Sequence, residues 1–241
     1  MNSNAVNNRN TIIASLVLGL ALIICAFIAS STFVRVKGFG RAVTVTGAAI
    51  KPITSDFAIW EANVTADDLS LEAAYATIKT GLEKSRQFLI ASGFADTSIE
   101  IGTVQVNRSY DREGRPAGYT LYQSIKVHVA DVDRITLLAR ESSSLIEQGV
   151  AITTLPPKYV FTKLEDLKIE MIKAATENAK LRAEQLAKTT GKEVGAPLSA
   201  RIGVFQIRPL YSQEVSDYGV NDMSSIQKEV VSTVNISFLI E

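Results

Sequence analysis

Residues 164–190 read LEDLKIEMIKAATENAKLRAEQLAKTT, and this stretch predicts the longest helix of the chain, ended by Gly191. It contains no Gly or Pro and carries five basic and five acidic side chains, a balance typical of a solvated helix face. Its apolar positions recur at helical intervals and mark one face: Leu164, Leu167, Met171, Ala175, Ala179, Ala183, Leu186 and Ala187. Because this face is rich in Ala, we expect the helix to pack very close to a sheet.

Runs of alternating apolar and polar residues surround the long helix and predict strands on both sides of it. The strand predictions cover 43–47, 56–65, 99–110, 119–129, 152–161, 199–207 and 229–240, and shorter helices are predicted at 70–92 and 131–149. The resulting order ββαββαβαββ predicts an α+β fold in which an antiparallel or mixed sheet is layered by helices.

Four connections between these elements carry further information. Pro52 indicates a connector between the first two strands, and the polar segment 111–118 predicts a hairpin loop. Pro156-Pro157 interrupts the strand at 152–161 and predicts a bulge or an edge position. The stretch Arg208–Lys228 is polar and contains two Tyr residues, and an unstructured connection of that length is either functional or mobile.

The N-terminal part of the chain predicts one transmembrane helix. Thr11–Val34 is 24 residues long, carries no charge and is bounded by Arg9 and Arg35. A helix of that length is about 36 Å long, enough to cross a hydrocarbon core of about 30 Å with some tilt. Ala29-Ser30-Ser31 resembles a cleavage site for a removable signal peptide, but the apolar region before it is longer than usual, which favours a retained anchor.

The predicted organisation is therefore an N-terminal tail at 1–10, a transmembrane anchor at 11–34 in contact with the lipid bilayer, a juxtamembrane linker at 35–41 and one domain at 42–241. Positive charges near the predicted anchor do not decide on which side of the membrane the domain lies. Arg35, Lys37, Arg41 and Lys51 follow the anchor and would favour the cytoplasm, but long domains cross membranes largely regardless of such charges.

Composition excludes several classes of function. The chain has 25 basic and 25 acidic side chains, and a net charge of zero argues against nucleic-acid binding, which needs a surplus of Lys and Arg. The single Cys excludes intrachain disulfides, and the single His makes a conventional His-based relay or a His-rich metal site improbable. Cys25 lies inside the predicted anchor, where we interpret it as an inert thiol.

No motif predicts a catalytic, cofactor-binding or metal site, and we expect none. The chain lacks a zinc-type Cys or His spacing, a phosphate loop and a GxSxG nucleophile elbow. Gly38-Phe39-Gly40 is interpreted as a hinge, and His128 and Trp60, both on predicted strands, as structural residues. The acidic pairs Asp67-Asp68 and Glu165-Asp166 lie at helix starts, where the helix dipole explains them.

Several patterns together resemble the SIMPL-domain family, also called DUF541, the group of the 26 kDa periplasmic immunogenic protein. They are VTVTG at 43–47, DFAIW at 56–60, the run 119–129 leading into DVD at 131–133, the Ala175, Ala179, Lys180, Ala183, Leu186 and Ala187 pattern followed by Gly191 and Gly195, and VVSTVNISF at 230–238. The resemblance covers about residues 42–241. It implies a SIMPL-like fold in a bacterial envelope protein, with the domain in the periplasm and an association with protection against oxidative stress.

The residues and the resemblance lead to one main hypothesis and one alternative. The main hypothesis is a non-enzymatic, single-pass protein of the inner membrane that forms homo-oligomers through its SIMPL domain. Large ring- or channel-like assembly is implied by the resemblance, whereas the Ala-lined helix and the expected sheet edges offer packing surfaces. The alternative is an extracytoplasmic ligand-binding or sensory module in which the 208–228 segment covers a pocket or contacts a partner.

Overall fold

The computed structural model describes residues 18–30 and 42–241. Residues 18–30 form helix α1, and within the described ranges no helix is long and apolar enough to cross a membrane. The predicted anchor at 11–34 extends beyond these residues on both sides. The predicted tail at 1–10, the linker at 35–41 and the proposed Gly38-Phe39-Gly40 hinge lie outside the described residues.

From residue 42 onward the chain has a mixed α+β architecture, as predicted, but its strands form two sheets instead of the one expected. The strands are β1 (Ala42–Thr54), β2 (Phe57–Asp68), β3 (Ile99–Ile101), β4 (Gln105–Tyr110), β5 (Pro116–Val129), β6 (Ile152–Thr154), β7 (Lys158–Val160), β8 (Val194–Ile202), β9 (Gln206–Pro209) and β10 (Gln227–Ile240). The helices are α2 (Leu71–Ala91), α3 (Val132–Glu141), α4 (Ser144–Glu147) and α5 (Leu164–Thr189), with a 3-10 turn at Asp96–Ser98.

Tertiary contacts divide the chain into two compact units. The first contains the described parts of Met1–Gly47 together with Glu177–Arg201 and Val234–Glu241. The second contains Ala48–Thr176 and Ile202–Thr233. One sheet has the order β1-β10-β8, with β9 also paired antiparallel to β10, so β1 and β8 are its edge strands.

The other sheet lies within the second unit and has the order β3-β5-β2-β6, with β4 on β5 and β7 on β2. Its centre is the long antiparallel pair β2–β5, in which Trp60 lies opposite Val127 and Glu61 opposite Lys126. Alternation places the apolar residues of both strands on one face, where α2 and α3 pack. The fully buried members of this core include Trp60, Ile78, Leu89, Leu121, Ile125, Val127, Ile135 and Leu145.

Side-chain caps and glycines fix where the helices begin and end. Ser70 caps α2 by accepting from the Ala73 amide, and Asp131 caps α3 by accepting from the Arg134 amide. Asp68 precedes the first of these caps and accepts a hydrogen bond from the Ser70 amide. Gly93 follows α2 with a φ of 86°, a conformation that suits glycine.

The predicted long helix is α5, and its inner face is confirmed with one exception. Leu167, Met171 and the four alanines at 175, 179, 183 and 187 are buried. The prediction that Leu186 belongs to the buried face is wrong, because half of its side chain is exposed. It precedes Ala187 and projects beside the buried stripe rather than within it.

Four strand predictions need correction, so the order ββαββαβαββ is too simple. The first strand continues through Pro52 to Thr54, so Pro52 is not a connector. The predicted strand 99–110 is two strands, β3 and β4, and 199–207 is replaced by β8 and β9. The strand 152–161 is divided into β6 and β7 on either side of Pro156-Pro157, and its predicted edge position is confirmed. The hairpin loop at 111–118 is also confirmed, between β4 and β5, although β5 already begins at Pro116.

Candidate functional site

The segment between β9 and β10, predicted to be functional or mobile, is held in place by side chains from both strands. The side-chain amide of Gln206, on β9, forms hydrogen bonds with backbone groups of the loop. Its side-chain oxygen accepts from the amides of Ser216 (3.2 Å) and Val220 (2.9 Å), and its Nε2 donates to the Ser216 carbonyl (2.8 Å). Gln206 is 8% exposed, so these bonds form a buried attachment for the loop.

Lys228 of β10 forms the second attachment and is only 2% exposed. Its ammonium donates to the carbonyl oxygens of Tyr159 (2.6 Å) and Asp222 (2.5 Å). Burial lowers the pKa of Lys228, and the negative charge of Asp222 opposes that change. Burial alone would raise the pKa of Asp222, but hydrogen bonds from Ser224 and Ser225 and the charge of Lys228 outweigh it and lower that pKa.

The third attachment is an ion pair between Arg208 of β9 and Glu229 of β10. The Nε–Oε1 distance is 2.8 Å, and both side chains are nearly buried, at 13% and 12% exposed. Arg208 Nη1 also donates to the Glu214 carbonyl at 3.2 Å. With Gln206 and Lys228, this pair attaches the loop to β9 and β10 although no helix or strand spans it.

The loop presents two tyrosines to solvent. Tyr211 is 88% exposed and has a φ of 66°, and Tyr218 is 97% exposed. Next to the loop is an open groove of about 650 Å³, whose lining includes Pro156, Pro157, Pro209, Val220 and Met223. Exposed tyrosines beside an apolar groove are typical of surfaces that contact another molecule.

The first unit has an apolar groove of its own, of about 460 Å³, between β1 and α5. Its lining residues are Val45, Thr46, Leu181, Arg182, Gln185 and Leu186. Leu181 and Leu186 are 54% and 50% exposed. Arg182 Nη1 donates to the Thr46 carbonyl at 2.9 Å, which fixes one wall of the groove.

A third surface is the face of the β2–β5 pair opposite the helices, where the side chains are polar. Glu61 lies between two cations, 3.3 Å from Lys126 and 3.9 Å from Lys158, and is 20% exposed. His128 Nε2 lies 3.3 Å from Glu100 Oε2 but makes no hydrogen bond to any residue that the structure describes. Opposite charges therefore alternate across this face.

The structure places the residues singled out in the sequence as follows. Trp60 is fully buried in the core, which confirms its packing role, and His128 lies on the polar sheet face. Asp67 accepts a hydrogen bond from Thr120, and Glu165 forms an ion pair with Lys168 within the first turns of α5. The described residues contain no group of three or more His, Cys, Asp or Glu side chains arranged to hold a metal.

The buried Lys228 was missed, although the sequence carries a signal for it. Residues 228, 230, 232, 234, 236 and 238 share one face of β10, and all are buried. A Lys in register with five inward-facing positions must find internal partners, and Lys228 finds two carbonyl oxygens. The polar sheet face gives no comparable signal, because alternating polar residues normally face water.

Comparison with known families decides the family of this chain. Its sequence matches the SIMPL model, described as a protein of unknown function (DUF541), over residues 43–238. The chain belongs to the SIMPL family. The match begins within β1 and ends within β10, so it covers both compact units of the SIMPL domain. A search of curated proteins gave no match.

Proposed function

We propose that this SIMPL protein is a membrane-anchored, non-enzymatic protein of the bacterial cell envelope that self-assembles through its SIMPL domain. The apolar groove of the first unit is the observation that carries the proposal. Leu181 and Leu186 leave about half of their side chains in water there. Covering each of them on association would contribute about 1 kcal/mol.

The edge strand beside this groove supports a second copy of the chain as its occupant. The part of β1 in the first unit, Ala42–Gly47, contains no Pro and no charged residue, and it borders the groove. Such an edge offers backbone groups for pairing with another strand. The opposite edge strand, β8, contains Pro197 and Arg201, two residue types that discourage strand addition.

The assembly proposal can be tested by the mass of the full-length chain in detergent, measured by light scattering with correction for bound detergent. We expect a particle that is a multiple of 26.1 kDa. Leu186→Glu should weaken association at least about tenfold, because it places a charge in the groove. Ile169→Glu is the matched control, since Ile169 is 72% exposed on the same helix but outside the groove.

Two results would defeat the assembly proposal. One is a monomer over the whole accessible concentration range. The other is an equal loss of association in Leu186→Glu and Ile169→Glu, which would separate assembly from the groove.

The membrane anchor is proposed from the uncharged segment 11–34. The described part of this segment, α1, supports it, because its large apolar side chains are exposed all round the helix: Leu18, Leu20, Leu22, Ile23, Ile24, Phe27 and Ile28. Leaving these side chains in water would be costly, whereas lipid would cover them. Cys25 gives a direct test, since a membrane-impermeant maleimide should label it only after detergent is added. Labelling in intact membranes would contradict the anchor.

The periplasmic location and the part in envelope or oxidative stress defence are proposed from the family resemblance. A reporter enzyme that is active only outside the cytoplasm, fused after Glu241, should be active. Activity of a second reporter, one that works only in the cytoplasm, at the same fusion site would contradict the periplasmic location. For stress defence, cells lacking the chain should survive peroxide less well, and the wild-type chain should restore survival. Equal survival of the two strains would remove the stress role.

A second candidate function is an extracytoplasmic ligand-binding or sensory module, favoured by the loop between β9 and β10. Because Tyr211 and Tyr218 face solvent, they suit contact with a partner better than closure over the groove. Replacing both with Ser should leave the mass and stability unchanged but abolish any protection that depends on a partner. Full protection by the double variant would count against this function.

A further inference from the structure

The polar face of the β2–β5 pair contains a cleft that self-assembly does not use. The cleft has a volume of about 200 Å³ and lies where β2, β5 and the β3–β4 connection meet. Five neutral polar side chains line it: Asn63, Thr103, Gln105, Tyr122 and Ser124. Within the described part of the chain, none of these five side chains makes a hydrogen bond.

Glycine at position 102 shapes one wall of this cleft. The Gly102 amide donates to the Ser124 carbonyl at 2.9 Å, and its own carbonyl accepts from Gln123 Nε2 at 2.8 Å. A Cβ at this position would lie 2.3 Å from Ser124 Oγ. The close backbone approach therefore keeps the wall narrow and leaves the Ser124 hydroxyl accessible to the cleft.

The chemistry of the lining narrows the class of ligand. Amide and hydroxyl side chains each both donate and accept hydrogen bonds, as the hydroxyl groups of a sugar do. Tyr122 is 38% exposed and adds a flat ring on which the C–H face of a sugar can rest. A small polar cleft with a single aromatic surface does not suit an apolar ligand.

The charges of the cleft argue against an anionic ligand. Glu100 and Lys126 are the charged residues of the lining, and their charges cancel. Lys126 is already paired with Glu61 at 3.3 Å, so binding an anion would require that pair to break. The cleft is also smaller than the roughly 300 Å³ at which pockets for drug-sized molecules begin.

We infer that this cleft is a carbohydrate-binding subsite that takes one ring of a neutral glycan. Asn63, Gln105 and Ser124 form hydrogen bonds with the hydroxyl groups of the ring, and Tyr122 packs against its apolar face. The sheet face continues on either side of the cleft, so a glycan chain can extend beyond the bound ring. This site lies within the second unit and does not depend on the proposed assembly.

The test uses the full-length chain in a detergent without a sugar headgroup, because alkyl glycosides would compete. The probes are maltotetraose and the tetramer of N-acetylglucosamine, with binding followed by saturation-transfer NMR and by calorimetry. We expect saturable binding of at least one of them. Because neutral hydrogen bonds carry the contact, the affinity should not change with NaCl.

Three variants locate the binding. Tyr122→Ala should weaken it about tenfold, and Gln105→Ala about three- to tenfold, since each removes one set of contacts. Asn107→Ala is the matched control, because Asn107 is an exposed amide on β4 of the same sheet but outside the cleft. It should bind as the wild type does. Unchanged emission from the buried Trp60 will show that the variants are folded.

Three outcomes would overturn the inference. The first is no saturable binding of either tetrasaccharide. The second is binding that Tyr122→Ala and Gln105→Ala leave unchanged, which would place the ligand elsewhere. The third is binding that weakens with salt and is displaced by glutamate, which would indicate an anion or amino-acid site.

Discussion

Replacing Lys228 with Met should destabilise the second unit by removing the buried ammonium that joins the β9–β10 loop to β7. Met keeps most of the aliphatic stem but cannot donate hydrogen bonds. The variant therefore leaves the carbonyl oxygens of Tyr159 and Asp222 without their donor, in a site where Lys228 is 2% exposed. It also removes the positive charge beside the Asp222 carboxylate.

The expected size of the effect is a difference between two opposing contributions. Two hydrogen bonds from a charged donor contribute about 1.5–3 kcal/mol each. Against this, the variant no longer buries an ammonium, and that burial costs several kcal/mol. The net loss should be about 2 kcal/mol, which would lower the urea midpoint of unfolding by about 1 M.

Trp60 provides the assay, because it is the only Trp, it is fully buried, and it shares a core cluster with Tyr159. Its emission during urea unfolding of the detergent-solubilised chain reports on the second unit. Lys158→Met is the control, since the Lys158 side chain is 50% exposed and should change the free energy of unfolding by less than about 0.5 kcal/mol. Equal midpoints for wild type and Lys228→Met would refute the role of the buried ammonium.

The remaining predictions concern a hairpin, a carboxylate and a buried hydroxyl. Gly118→Ala should lower the free energy of unfolding by about 2–3 kcal/mol, because φ is 138° and the new Cβ would lie 2.7 Å from the Asp68 carbonyl oxygen. Gly114→Ala is the control, since φ is 76° and the space around it is open, and it should cost only about 1 kcal/mol. Equal losses of stability in the two variants would rule out the close contact at Gly118. Asp222→Asn should cost about 1 kcal/mol at neutral pH. Because folding lowers the pKa of Asp222, its carboxylate stabilises the fold at pH values above its ordinary pKa of 3.8 and loses this effect as the pH falls through the lowered pKa. The unfolding curves of wild type and Asp222→Asn should therefore converge in acid. Ser232→Ala should be neutral or stabilise by up to about 1 kcal/mol, since Ser232 Oγ is buried and has no hydrogen-bond partner among the described residues; a clear loss in thermal unfolding would contradict this.

The elements that sequence predicted best are those whose periodicity is long. The helix predicted at 164–190 is found at Leu164–Thr189, and its stripe of alanines is buried because a repeat of four residues keeps them on one side. Leu186 was misplaced because apolarity alone cannot show where the covered surface ends. The position of that boundary depends on β1, more than 130 residues away in sequence.

Short strands were predicted less well, for a local reason. The alternation of 99–110 continues through Gly102, but the backbone there turns toward Ser124 and separates β3 from β4. Similarly, Pro52 remains inside β1, because a proline is tolerated where a strand lies at the edge of its sheet. Neither outcome can be derived from the residue types, since each depends on which neighbouring strand is present.

The candidate sites were predicted in part. The segment 208–228 was recognised as unusual from its length, but its attachment by Gln206, Arg208 and Lys228 was not. Polar residues within strands are ordinarily expected to face water. Their burial here is decided by partners that are distant in sequence, such as the Tyr159 carbonyl for Lys228.

The chemistry of the two surfaces limits what can cover each of them. A protein surface rich in apolar side chains would gain little on the β2–β5 face, because it would bury the Glu61–Lys126 pair and the five neutral side chains of the cleft without replacing their water contacts. A ligand with many hydroxyl groups avoids that cost. The β1–α5 groove has the opposite requirement, since Leu181 and Leu186 gain only from an apolar partner. The proposed assembly and the proposed glycan binding therefore require partners of opposite chemistry, an apolar one at the β1–α5 groove and a polar one at the cleft.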